Sequence, residues 1–252
     1  MAALNQRQAV LTGAAGGIGA AIARQLMAQG ATVHGIDRDN VGLAALSREF
    51  PGRFIAYEAD LADRGATDRM LGLLDRALAG RCDILVNNAG IARVQSFVTS
   101  EDELLDRLIA VNFTATFRIT RALIPALRTS GQASVVNIAS ELALIGQPGY
   151  TAYTASKGAI LAFSRALAIE LAAEGIRVNA VCPGPIDTPM LAGEFALAED
   201  PEVARAGEIA TVPLGRLGQP RDIAGVVAFL ASDAAAFVTG AAWPVDGGKT
   251  AR

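Results

Sequence analysis

Two residues four apart, Tyr153 and Lys157, open a helix-patterned stretch and carry the clearest chemical potential in the chain. Positions i and i+4 share one helical face, so a phenol and an ammonium project into the same space. A tyrosine ordinarily titrates near pKa ~10, too high for a base at neutral pH. A neighbouring Lys⁺ stabilises the phenolate and brings proton exchange within reach. Taken alone, the pair is a common coincidence of surface helices. Ser140, thirteen residues upstream, follows an apolar β-branched run, where a hydroxyl can polarise a carbonyl or alkoxide. Asn112 lies in the helical stretch Leu104–Leu127, otherwise rich in apolar residues, where a packed structural amide is the plain alternative to a functional one.

A second constellation is built from glycine. Gly13-Ala14-Ala15-Gly16-Gly17-Ile18-Gly19 stands between a strand-like run and a helical pattern. Glycines there let the backbone turn sharply and approach a pyrophosphate, whose charge suits the helix N-terminus. The spacing is G-x-x-x-G-x-G rather than G-x-G-x-x-G, so placement carries the reading more than the motif does. Asp37, twenty residues beyond Gly17, can accept hydrogen bonds from an adenosine ribose and would repel a 2′-phosphate; it can equally cap a helix. Arg38 pulls towards a 2′-phosphate, but the glycine turn holds no basic residue, which favours NAD over NADP. Asp60 can meet an adenine amino group or cap the next helix. Asn87-Asn88-Ala89-Gly90 can admit a flat ring or form a plain turn.

These residues need a scaffold. Strand-like runs at Gln8–Thr12, Thr32–Ile36, Arg53–Tyr57, Ile84–Val86, Ser134–Ile138, Arg177–Val181 and Ala241–Val245 alternate with helical patterns near 17–29, 39–49, 63–79, 101–128, 152–174 and 220–232. Such alternation predicts a single-domain α/β fold spanning 1–252: a Rossmann-type, doubly wound parallel sheet of about seven strands with helices on both faces. The segment Pro185–Pro213 is long and weakly periodic, which predicts a substrate lid at about 185–213.

With 252 residues, 52% hydrophobic and 19% charged, the chain can bury a large core. A formal charge of -3 without basic runs argues against nucleic acid or an anionic membrane as partner. A single histidine, His34, all but excludes His-based metal sites and Ser-His-Asp triads, and is expected half-buried in a strand. No metal is expected. Cys82 and Cys182 are expected as buried thiols in a reducing compartment. With no leader peptide or membrane span recognisable, a cytoplasmic protein is expected.

Together, Thr12-Gly13-x-x-x-Gly17-Ile18-Gly19, Asn87-Asn88-Ala89-Gly90, Asn112, Ser140 and Tyr153-x-x-x-Lys157 resemble the short-chain dehydrogenase/reductase family. Pro183-Gly184 with Thr188 and the closing Val245-Asp246-Gly247-Gly248 fit the same pattern, so the resemblance covers essentially the whole chain. It implies Tyr153 as general acid/base and Ser140 as holder of the substrate oxygen. Lys157 would hold the nicotinamide ribose and, with the oxidised ring, depress the tyrosine pKa. Asn112 would anchor a water relaying protons from Lys157. Asn88, Ala89 and Gly90 would line the cofactor ribose, Thr188 would touch the carboxamide, and Leu61, Pro183, Gly184 and Ile186 would complete the cofactor wall. A homotetramer built on 101–128, 152–174 and 220–246 is implied as well.

Glu141, Leu142, Gln147, Tyr150, Pro185, Met190 and Leu191 are expected around the substrate, with Arg93 near the mouth. Glu141 and Gln147 suit hydroxyls of a polyol or sugar; Leu142 and Met190 suit an apolar ketone. The reading favours NAD-linked oxidation of a small or medium secondary alcohol. The alternatives are an NADPH-linked carbonyl or 3-oxoacyl reductase, and a non-catalytic dinucleotide sensor. Six acids in 185–213 against Arg205 alone disfavour an acidic carrier protein, although a solvated acidic face is equally ordinary.

Overall fold

The structure, a computed structural model, describes residues 3–251. Its strands are β1 (Gln8–Thr12), β2 (Thr32–Asp37), β3 (Phe54–Glu58), β4 (Ile84–Asn87), β5 (Ala133–Ile138), β6 (Ile176–Pro183) and β7 (Ala242–Val245). All seven join in one parallel sheet in the order β3-β2-β1-β4-β5-β6-β7. The order reverses between β1 and β4, and a crevice opens beyond the C-terminal ends of strands at such a point. The glycine turn and Asn88–Gly90 both lie there.

The helices are α1 (Gly17–Ala28), α2 (Asn40–Glu49), α3 (Arg64–Leu78), α4 (Asp102–Ile109), α5 (Ala115–Ser130), α6 (Thr151–Leu171), α7 (Pro189–Phe195), α8 (Pro201–Ala210) and α9 (Pro220–Ala231). Successive strand residues face opposite ways, so Leu11 and Val10 feed different cores. Leu11 and Val33 pack with Ile22 and Leu26 of α1 and Ile223 and Val227 of α9. Val10 and Val135 pack with Leu74 of α3, Ile119 and Leu123 of α5 and Leu171 of α6. Each such aliphatic side chain contributes about 1.5–3 kcal/mol by leaving water, so the sheet is clamped from both faces.

Two stretches depart from the sequence expectation. The helix expected over 101–128 is interrupted: α4 ends at Ile109, and a five-residue π turn, Ala110–Thr114, leads into α5. The weakly periodic segment 185–213, for which the sequence pattern predicts no helix, holds α7 and α8. Each begins at a proline behind a capping side chain. Thr188 accepts from the Leu191 N–H, and Asp200 accepts from the N–H groups of Glu202 and Val203. Cap-proline pairs start helices efficiently, because proline lacks the N–H that a first turn cannot satisfy.

His34 is buried rather than half-buried. Its ring nitrogens lie 3.0 Å from the Tyr57 hydroxyl and 3.0 Å from Gln8 Oε1, linking β1, β2 and β3. Cys82 and Cys182 are buried free thiols. Among the described residues no helix is long and apolar enough to cross a membrane.

Candidate active site

After β1 the chain turns at Gly13 with φ +65°, a conformation that side chains with a Cβ rarely adopt. A Cβ there would also lie 2.8 Å from Ala89 Cα, so the turns after β1 and β4 pack backbone to backbone. Thr12 holds them together. Its hydroxyl accepts from the N–H groups of Asn88 and Ala89 at 3.0 Å. Asn88 Nδ2 donates back to the carbonyls of Thr12 and Gly13 at 3.1 and 2.9 Å. Gly19, expected against the cofactor, is buried in α1 off the cavity wall. A Cβ there would collide with the Gly13 carbonyl, so its small size serves packing.

A cavity of about 600 Å³ joins this turn to the start of α6. Gly13, Gly17 and Ile18 line it with Asn88, Ala89 and Gly90, and Asp37, Asp60 and Leu61 line the end beneath β2 and β3. Pro183, Gly184, Ile186 and Thr188 close it from the end of β6. Asp37 does not cap α2; Asp39 does. The Asp37 carboxylate instead accepts from the N–H groups of Ala15 and Asp39, at 2.9 and 3.0 Å, which pins it beside the glycine turn. Asp60 accepts from the Ala62 N–H at 2.9 Å, and Asp63 is the cap of α3. Arg38 lines the same end.

Ser140, Tyr153 and Lys157 stand together at the other end. The Ser140 hydroxyl accepts from the Leu142 N–H at 3.1 Å, which fixes its rotamer at the start of a short 3₁₀ turn. Burial pushes the Tyr153 phenol up to about 12, against a hydrogen bond from Ser140 that lowers it. Lys157 Nζ donates to the Ile138 carbonyl at 2.9 Å and lies 5.9 Å from the centre of the Tyr153 ring. Burial lowers that ammonium to about 8. The phenol of the protein by itself is therefore raised rather than depressed: desolvation outweighs the Ser140 hydrogen bond, and the charges of Glu194 and Glu141 add to the rise. A further positive charge brought into the cavity would act the other way.

Asn112 sits in the π turn, buried and off the cavity wall. Its Oδ1 accepts from the Ile91 N–H at 2.9 Å. Its Nδ2 donates to the Ile91 carbonyl at 3.0 Å and to Ser156 Oγ at 2.9 Å. Ser156 Oγ in turn donates to the Tyr153 carbonyl at 2.7 Å. The amide thus clamps the segment after β4 to the opening turns of α6.

Leu142, Gln147, Tyr150, Pro185, Met190 and Leu191 line the cavity as expected; Arg93 is exposed and off its wall. Glu141 also lines it, and carries a partner that the sequence did not indicate. Oε1 accepts from Lys249 Nζ at 2.8 Å, and burial raises the carboxyl pKa above its usual range. Three residues escaped the sequence reading. Lys249 Nζ also donates to Glu208 Oε1 at 2.6 Å, and the Tyr150 hydroxyl donates to Glu194 Oε2 at 2.6 Å. Glu194 and Glu208 belong to α7 and α8, whose cap-proline starts were the available signal; Lys249 offered none.

The wall suits a dinucleotide. Backbone rather than side chain faces the cavity at the glycine turn, an acid is fixed at one end, and a cradle lies between. A Cβ on Gly90 would fill that cradle, 3.1 Å from Lys157 Nζ and 3.4 Å from Asn112 Oδ1.

Comparison with known proteins gives the same picture. A family model described as enoyl-(acyl carrier protein) reductase matches residues 13–250. The 3-oxoacyl-(acyl-carrier-protein) reductase of Thermotoga maritima is 38% identical over 250 residues, covering 97% of this chain and 98% of its own length. The cis-4-hydroxycyclohexanecarboxylate dehydrogenase of Sinomonas cyclohexanicum is 39% identical, covering 99% and 98%. A structure described as an NAD(P)-dependent gluconate 5-dehydrogenase from Beutenbergia cavernae, with NADP at low occupancy, superimposes with a TM-score of 0.91 at 36% identity, over 99% of both chains. The 3-ketoacyl-(acyl-carrier-protein) reductase of Brucella melitensis, complexed with NADH, gives 0.90 at 34% identity, over 98% and 99%. With the glycine turn, Ser140, Tyr153 and Lys157 on one cavity and likeness along nearly its full length, the chain belongs to the short-chain dehydrogenase/reductase family of oxidoreductases.

Proposed function

We propose that the protein transfers hydride between NAD(H) and a secondary alcohol or ketone (a polyol, a sugar or a small to medium alcohol), with Tyr153 as general acid/base. The observation that carries this is a single cavity with Asp37 and the glycine turn at one end and Ser140, Tyr153 and Lys157 at the other. Gly13, Gly17 and Ile18 hold the pyrophosphate, Asp37 the adenosine ribose, and Asp60 and Leu61 the adenine. Asn88, Ala89, Gly90 and Lys157 hold the second ribose, and Pro183, Gly184, Ile186 and Thr188 the carboxamide. When bound, the nicotinamide supplies hydride transfer and, oxidised, a positive charge. Ser140 holds the substrate oxygen. The Tyr153 hydroxyl gives its proton in reduction and takes one back in oxidation. Asn112 keeps Tyr153 and the Gly90 cradle in register through Ile91 and Ser156, and anchors the water that relays protons from Lys157. The segment 185–213 forms the lid over Leu142, Gln147 and Met190.

The pinned Asp37 and the absence of Lys or Arg from residues 13–19 support NAD over NADP. Arg38 on the wall favours a second reading, an NADPH-linked carbonyl or 3-oxoacyl reductase like the Thermotoga relative. Calorimetric titration separates them: NAD is expected to bind at least about tenfold tighter, as a fixed carboxylate facing a phosphate demands. Tighter NADP sinks the NAD reading. A panel of secondary alcohols, polyols and ketones followed at 340 nm tests the chemistry. Tyr153→Phe, folded by circular dichroism, is expected to lose turnover; unchanged turnover overturns the mechanism. The exposed Phe117, Ile169 and Phe237 support a homotetramer through α5, α6 and the α9–β7 unit, and the two buried thiols support a cytoplasmic setting.

A further inference from the structure

We propose that the 185–213 segment is latched to the catalytic machinery at two points, which makes Lys249 and Glu194 positioning residues for Ser140 and Tyr153. This rests on the hydride-transfer reading above. The first latch starts from the C-terminal turn. Asp246 fixes that turn by accepting from the Gly248 N–H at 2.9 Å, the Thr250 N–H at 2.8 Å and the Thr250 hydroxyl at 2.6 Å. The turn is seated on the far hinge of the lid: the Leu214 N–H donates to the Gly247 carbonyl at 3.1 Å. From this base Lys249, only 7% exposed, reaches inward and bridges Glu141 and Glu208. Glu208 lies on α8, and Glu141 directly follows Ser140.

The second latch joins α7 to α6. Glu194 accepts from the Tyr150 hydroxyl, and the Tyr150 ring meets Tyr153 edge-on, with centroids 6.1 Å apart at 64°. Each helix of the lid therefore ends on a neighbour of a residue that handles the substrate oxygen.

Stability alone does not account for the first latch. One ammonium serves two carboxylates in a buried place, and Glu141 Oε2 is buried with no hydrogen-bond partner. Burying charge so incompletely satisfied is unfavourable, and an apolar cluster of similar volume would hold the lid at least as well. What the arrangement provides is direction. The ammonium sets Glu141, and through it the turn that orients Ser140, only while α8 is in place. Without Lys249, Glu141 and Glu208 are left as unbalanced like charges, which drives α8 outward.

Lys249→Met is expected to lower kcat/KM at least about tenfold, mainly through KM, because a charge-assisted bond holding the substrate wall is lost. Lys249→Arg should recover to within about threefold, since it restores the cation. Glu208→Gln, on the lid and part-exposed, gives the same reading should the lysine variant fail to fold. The Lys249→Met and Glu208→Gln penalties should not multiply when combined. Trypsin cleavage after Arg205 on α8 reads the latch with no substrate present, and should accelerate at least about fivefold in both variants as local opening becomes easier. An unchanged cleavage rate in folded variants, or penalties that multiply, overturns the latch. Faster cleavage in an enzyme that turns over nothing in the alcohol and ketone panel supports the latch and removes the hydride-transfer reading instead.

Discussion

At Tyr153 two forces oppose each other, and burial prevails over the hydrogen bond from Ser140, pushing the phenol up to about 12. Alcohol oxidation needs the phenolate, whose fraction rises about tenfold per pH unit below its pKa. Log kcat/KM for oxidation should therefore climb with a slope near ~1 from pH 6 until the phenol titrates in the cofactor complex. Ketone reduction draws on the protonated phenol and should stay flat over the same interval. A flat oxidation profile would remove Tyr153 as the base. Ser140, Tyr153 and Lys157 were legible in the sequence because their chemistry depends on residue type at short, fixed spacings. Lys249 was not: its partners lie 41 and 108 residues away, and only the folded chain brings them together. The pairing of Glu141 with Lys249 was hidden for the same reason.

Among the elements, β2 carries a titration of its own through His34. Burial lowers the ring from 6.5 to about 4, so the folded state favours the neutral form. The stability this contributes is whole above the unfolded value, ~6.5, and is lost as pH falls towards 4; its upper limit is about 3 kcal/mol. His34→Gln should shrink the fall in Tm between pH 7 and 4.5 measured by calorimetry, and an equal or larger fall would contradict the assignment. The strands themselves were readable because a parallel sheet buried on both faces makes each an apolar β-branched run. α7 and α8 were not, since seven- and ten-residue helices with no fully buried face show little periodicity, and their start signals lie in single cap-proline pairs. The break at 110–114 was hidden for a different reason: a π turn changes the phase of an apolar stripe without changing its composition.

For the molecule as a whole, exposed apolar side chains are spread over the surface, and those on α5, α6 and the α9–β7 unit are Phe117, Ile169, Phe229 and Phe237. Ile169 is 82% exposed and Phe237 fully so. Light scattering should give four times the 26.0 kDa of one chain, and Ile169→Asp should reduce that to dimers or monomers. A parent protein running as a 26.0 kDa monomer would refute the tetramer. The doubly wound architecture was legible at this scale, because strand and helix alternation leaves few topologies open. In the π turn, the added residue rotates α4 by about 100° relative to α5, as 3.6 residues per turn requires. That rotation lets Leu108 face the interior while Asn112 reaches both Ile91 and Ser156. Removing one residue there would mend the helix and misdirect both. The number of residues between α4 and α5 is thus a stricter inheritance than their identity, and evolution can drift in the letters of this segment far more freely than in its length.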